Sequence, residues 1–141
     1  MSLLKGQKRL AVLWLAGAFV AMFILIGETY GRVWGSTAPE AWGWFLPMVV
    51  PTLTLIVGSV VAELVKETHS TSKVQPLAFW VTFCVSIFYL LLVIVALCKA
   101  AYTSVEPPIN VLKTSSLWLS ALQGLVGGSI GVFFGGRKSG G

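Results

Sequence analysis

The chain has 141 residues, of which 56% are hydrophobic and 11% are charged, and its formal net charge is +5. Soluble domains carry about 25% charged residues. This composition excludes a soluble globular domain, because too little polar chain remains to cover the apolar part. The length allows one domain, residues 1–141. The intervals between its apolar runs are too short for a separate catalytic domain outside the membrane.

Four apolar runs fill most of the sequence, at about residues 10–27, 45–65, 77–98 and 116–134. A helix needs roughly 17–25 residues to cross the ~30 Å hydrocarbon core of a bilayer. The runs therefore predict an all-α, polytopic membrane protein with four transmembrane helices. The first run follows a basic start but exceeds a signal-peptide core and lacks a small-residue cleavage site, so we expect a retained span.

The basic residues predict the orientation. With four spans, both termini share one side, and its seven basic residues are Lys5, Lys8, Arg9, Lys66, Lys73, Arg137 and Lys138. The three on the other side are Arg32, Lys99 and Lys113. Basic loops stay in the cytoplasm, so we expect cytoplasmic termini and a multi-pass protein of the inner membrane.

The second span contains two prolines, Pro47 and Pro51. Because proline fits the first turn of a helix and kinks it further in, we expect the helix to begin near Trp44 or Leu46 and to bend near Pro51. The outer loop is then Thr29–Gly43. Hydroxyls available for the carbonyls that Pro51 leaves free are those of Thr52, Thr54 and Ser59.

The fourth span differs in kind, because small and polar residues share one face of it. Five lie on that face at helical spacing and two flank it; they are Ser116, Ser120, Gln123, Gly127 and Gly131, with Gly124 and Gly128. Small-xxx-small repeats let helices approach closely in lipid, either within one chain or between copies, and we expect a homo-oligomer. The same face could instead line a pore or cavity. The amide of Gln123, at mid-depth, needs a partner from another helix, a second copy or water.

Charged residues mark the two ends of the spans. Lys5, Lys8 and Arg9 share one helical face. They serve topology and lipid anchoring, or they form a basic ring in an oligomer that binds an anionic nucleotide or nucleic acid. Glu28 and Glu63 are interfacial residues or carboxylates that select cations at the pore mouths.

Catalytic patterns are missing from the sequence. The sequence has one histidine, His69, and two cysteines, Cys84 and Cys98. The cysteines would lie about 21 Å apart on one predicted helix, so these residues cannot form a metal site. No nucleophile–base set, carboxylate pair or phosphate loop is visible. We therefore expect neither an enzyme nor a cofactor.

Three functions remain open. The first is a channel-like homo-oligomer that perturbs the integrity or potential of the membrane. The second is a small secondary transporter, although that class usually carries an ionisable residue or a broken helix at mid-membrane. The third is a non-conducting anchor or partner subunit of another membrane protein.

The chain resembles the small membrane effectors of bacterial anti-phage defence systems, in particular the channel-like component of Hailong-type systems. The resemblance lies in its size, its bare four-span core, the glycines of the fourth span and the basic residues at the inner face. The resemblance implies a homotetrameric pore. It also implies a partner nucleotidyltransferase whose single-stranded oligonucleotide product holds the pore shut. The nearest candidates for that contact are Lys5, Lys8 and Arg9.

Overall fold

The computed structural model describes residues 3–65 and 76–135, and the side chains of residues 5–62, 65 and 76–134. These residues form four long helices, α1 (Leu3–Tyr30), α2 (Ala38–Val65), α3 (Pro76–Tyr102) and α4 (Pro108–Gly135). A short 3-10 turn, Gly35–Thr37, precedes α2. Each helix is long and apolar enough to cross a membrane. The prediction of an all-α, multi-pass membrane protein is confirmed at this level, and the homo-oligomer stays a prediction.

The helices extend beyond the apolar runs. The second helix begins at Ala38, so the expected start near Trp44 or Leu46 was wrong. Pro39 suits the first turn of a helix. The negative carboxylate of Glu40 in that turn interacts favourably with the positive end of the helix dipole and stabilises the helix start. Likewise, α4 begins at Pro108 rather than at residue 116. The loop between α1 and α2, predicted as Thr29–Gly43, is residues 31–37, because α1 ends at Tyr30 and α2 begins at Ala38.

A capped turn joins α1 to α2. The backbone N–H of Val33 donates to the carbonyl of Glu28 at 3.0 Å, and that of Arg32 donates to the carbonyl of Thr29 at 3.2 Å. This pair of bonds is a Schellman motif, which needs a left-handed residue just past the helix. Arg32 takes that place with φ +60°, although glycine usually does. The motif reverses the chain within a few residues and makes α1 and α2 neighbours.

The helices form a four-membered bundle with the cyclic order α1–α2–α4–α3. The extensive contacts join α3 to α4, α1 to α3, α1 to α2 and α2 to α4. The pairs α1–α3 and α2–α4 run parallel, and the two hairpins are antiparallel. We call the end that holds Lys5, Lys8 and Arg9 the basic end, and the opposite end, with residues 31–37 and 103–107, the loop end.

The core lies along the centre of this bundle. Its largest fully buried side chains come from all four helices; they include Trp14, Leu25, Ile56, Tyr89, Leu97, Leu112, Leu119 and Ile130. Trp14 stacks on Tyr89 with ring centroids 5.9 Å apart. One turn along, a Cβ on Gly17 would lie 2.7 Å from Cδ1 of Leu90. Glycine at position 17 therefore lets α1 and α3 approach closely.

Candidate functional site

The fourth helix presents an uncovered small-residue face. Of the four spans, α4 is both the least apolar and the least buried within the chain. In the described part of the chain, nothing lies within 4 Å of a Cβ built on Gly124, Gly127, Gly128 or Gly131. These glycines therefore do not serve packing inside one bundle, which is where a close helix contact would bury them.

The predicted residues of this face all reach the surface of the bundle. Ser120, Gly124 and Gly128 are exposed, whereas Ser116, Gln123, Gly127 and Gly131 are half-buried. The hydroxyl of Ser116 donates to the carbonyl of Lys113 on its own helix at 2.6 Å. The hydrogen-bonding need of that serine is thus met locally, and it lies about 10 Å along the helix from Gln123.

An open groove runs between α2 and α4 at the middle of the bundle. Its volume is about 400 Å³, and its lining residues are Pro51, Thr52, Leu55, Gln123, Gly124 and Gly127. We call it the α2–α4 groove. It combines a proline, a hydroxyl and an amide with two glycines, so backbone polar groups and side-chain polar atoms meet at mid-span.

The amide of Gln123 has a specific partner in this groove. Its Nε2 donates to the carbonyl oxygen of Pro47 at 2.9 Å and lies 3.4 Å from that of Met48. In a regular helix the carbonyl of Pro47 would accept from residue 51, but Pro51 has no N–H. The side chain of Gln123 therefore replaces the missing backbone donor. The partner that the sequence required is another helix of the same chain.

The hydroxyls of Thr54 and Ser59 do not perform this task. Thr54 Oγ1 donates to the carbonyl of Val50 at 2.9 Å, and Ser59 Oγ donates to that of Leu55 at 2.7 Å. Both bonds run one turn back along the helix to carbonyls other than the one that Pro51 frees. The expectation was wrong for Thr54 and Ser59, because each hydroxyl bonds a carbonyl one turn back along its own helix.

Tyr89 adds a second side-chain donor to α2, at the carbonyl next to that of Pro47, and sequence reasoning missed it. Its hydroxyl, fully buried, donates to the carbonyl of Met48 at 3.0 Å. With its ring on Trp14, Tyr89 ties α1, α2 and α3 together. The available signal was a phenol inside the most apolar span, since a buried hydroxyl in lipid needs an acceptor.

The predicted charged residues lie away from the groove. Lys5, Lys8 and Arg9 are exposed at the basic end. Glu28 lies near the loop end and is half-buried. Its Oε2 atom is buried and accepts no hydrogen bond of regular geometry from the described residues. The side chain of Glu63 lies outside the described residues, as do Arg137 and Lys138.

No protein-family model, curated protein or solved structure matches this chain. Among residues 3–65 and 76–135, no three His, Cys, Asp or Glu side chains gather where they could hold a metal ion.

Proposed function

We propose that the chain self-assembles in the membrane through the glycine face of α4, and that the α2–α4 groove then borders a conduit for ions. One observation carries this proposal: α4 is the least apolar of the four spans, yet it is also the span that the rest of the chain covers least. Small residues on an uncovered face let the backbone of a second helix approach closely, which is a common way for helices to associate in lipid. A second copy, water, or both would cover that face.

The groove supports the conducting role for a further reason. Gln123 is half-buried and holds its amide at the carbonyls of α2 with Nε2, which leaves its own carbonyl oxygen to accept from water or a neighbouring copy. Thr52 lies on the facing wall. Facing copies would place a ring of amide oxygens around a common axis, and rings of oxygens coordinate cations in channels. The subunit number implied by the resemblance is four.

Reconstitution of the purified chain into planar bilayers tests the proposal. We expect discrete single-channel currents, which Gly127→Leu reduces strongly because the added side chain fills the groove. The matched control is Gly27→Leu on α1, since a Cβ there also meets nothing within 4 Å among the described residues. Its currents should equal those of the natural chain.

Cross-linking separates assembly from conduction. With Cys84 and Cys98 replaced by serine, a cysteine at Ser120 should form disulfide-linked dimers, whereas a cysteine at Ala16 on α1 should not. Saturable uptake without unitary currents would support the transporter instead. A chain that neither conducts nor cross-links would support the non-conducting anchor.

Oligonucleotide gating remains a prediction from the resemblance to defence effectors. Its support is that Lys5, Lys8 and Arg9 are all exposed at one end, where symmetric copies would multiply the charge. Current recordings with and without a single-stranded oligonucleotide on the basic side test it. A Lys5/Lys8/Arg9→Glu variant should lose any inhibition while keeping its basal conductance.

A further inference from the structure

A second groove runs along the opposite seam of the bundle, between α1 and α3. Its first part, at the basic end, measures about 400 Å³ and is lined by Lys8, Arg9, Val12, Leu13 and Phe83. A second part of about 220 Å³ shares Leu13 and continues past Ala16 and Val20 to Ile94. We call the two parts together the α1–α3 furrow.

The polarity of the α1–α3 furrow changes abruptly along its length. Lys8 and Arg9 stand at its mouth, and every other lining residue is apolar or glycine. The side chains at its mouth and along its wall are open to the surroundings, with Val12 66% and Val20 49% exposed. Such a furrow matches a molecule that has an anionic head and a long apolar tail.

The length of the furrow fits one leaflet of a bilayer. Lys8 and Val20 are twelve residues apart on α1, which corresponds to about 18 Å of helix. Half of the ~30 Å hydrocarbon core is about 15 Å. With Lys8 and Arg9 at the level of the headgroups, the far end of the furrow therefore lies near the middle of the membrane, where an acyl chain ends.

We propose that the α1–α3 furrow is a binding site for one anionic phospholipid, with the phosphate at Lys8 and Arg9 and an acyl chain along Leu13, Ala16 and Val20. The charge of the two basic residues complements the headgroup, and the apolar wall complements the tail. An oligonucleotide would gain nothing from that wall, because its sugars and phosphates stay in water. This inference is independent of whether the assembly conducts.

Native mass spectrometry tests whether the site selects an anionic headgroup. The full chain in detergent is titrated with phosphatidylglycerol or with phosphatidylcholine of the same acyl chains. We expect one phosphatidylglycerol per chain, bound more tightly than phosphatidylcholine. Each basic residue near a membrane surface contributes about fivefold to anionic-lipid affinity, so a Lys8→Gln/Arg9→Gln variant should bind phosphatidylglycerol about 30-fold more weakly. Lys99→Gln, which removes an exposed charge at the loop end of α3, is the matched control and should change nothing.

A furrow-filling variant tests the tail. Ala16→Trp should weaken the binding of both lipids at least about tenfold, because the indole occupies the place of the acyl chain. Ala78→Trp, at an exposed position of α3 outside the furrow, should bind both lipids as the natural chain does. Val20→Trp offers the same test in a second position if the first variant folds poorly, with helicity by circular dichroism as the check on folding.

Three results would overturn the proposal. One is equal affinity of the natural chain for the two lipids. Another is unchanged lipid binding in both Ala16→Trp and Val20→Trp. The third is a single-stranded DNA 10-mer that binds in a Lys8- and Arg9-dependent manner while phosphatidylglycerol does not, which would assign these residues to an oligonucleotide.

Discussion

The hydrogen bond between Gln123 and Pro47 yields a sharp prediction about the stability of the bundle. Gln123→Leu removes the donor, and the carbonyl of Pro47 then lacks a partner, because Pro51 supplies no N–H. Hydrogen bonds between membrane helices contribute about 0.6 kcal/mol on average and up to about 1.7. An unpaired carbonyl adds part of its desolvation cost. We expect Gln123→Leu to lower the free energy of unfolding by about 1–2 kcal/mol.

A second substitution tests whether the loss of stability in Gln123→Leu arises from the missing N–H of Pro51. Pro51→Ala restores a backbone N–H at position 51, which can donate to the carbonyl of Pro47 in the regular helical way. In that background Gln123→Leu should cost less than about 0.5 kcal/mol. The double-mutant cycle should therefore show a coupling energy of about 1 kcal/mol between two positions on different helices.

The assay is equilibrium unfolding by SDS in mixed micelles, at one fixed protein concentration for every variant. Ser129→Ala provides the control, since its hydroxyl donates to the carbonyl of Val126 within α4 at 2.9 Å and makes no bond to α2. Its cost should add to that of Pro51→Ala. Additivity for Gln123 as well would refute the idea that its amide substitutes for the missing N–H.

Three further predictions concern other contacts of the bundle and use the same unfolding assay. Tyr89→Phe keeps the stacked ring but loses the hydroxyl donor to α2, and it should cost about 0.5–1.5 kcal/mol. Gly17→Ala places a Cβ 2.7 Å from Cδ1 of Leu90, but that atom ends a side chain that can shift and alanine favours the helix by about 1 kcal/mol, so the stability should change by less than about 1 kcal/mol. A loss above about 2 kcal/mol would show that Leu90 cannot move aside. Lys113→Ala breaks the 3.0 Å ion pair with Glu40, but both side chains are more than half exposed, so the loss should stay below about 1 kcal/mol.

The sequence predicts the number and the class of the helices because lipid acts as the solvent. Four runs of apolar residues leave no other way to satisfy the backbone than helices that span. Hydropathy does not predict where α2 and α4 begin. The residues there, Ala38–Pro39–Glu40 and Pro108, favour the first turn of a helix through their backbone and charge and not through apolar character. A polar turn at the membrane surface can continue a helix without any apolar signal.

The candidate site was predictable only in part. Helical spacing placed Gln123 and Gly127 on one face, with Gly124 beside it. The rule that proline frees the carbonyl four residues earlier pointed to Pro47. Joining the two required knowing that α4 packs beside α2, and the order of helices in a bundle depends on side-chain packing that no local pattern records. The cross-bundle role of Tyr89 was hidden for the same reason.

The two grooves follow from that order of helices. In the cycle α1–α2–α4–α3 the seam between α2 and α4 is opposite the seam between α1 and α3. The first seam has an amide, a hydroxyl and uncovered glycines, whereas the second is apolar with two cations at one end.

A bundle with such unlike seams has a preferred orientation in an assembly, because hydrocarbon is a poor solvent for the α2–α4 seam and a good one for the α1–α3 seam. The polar seam is best placed toward other copies or water, and the apolar seam toward lipid. The proposed self-association through α4 and the proposed phospholipid site along α1 and α3 are therefore compatible in one chain, since each uses a surface that the other leaves free.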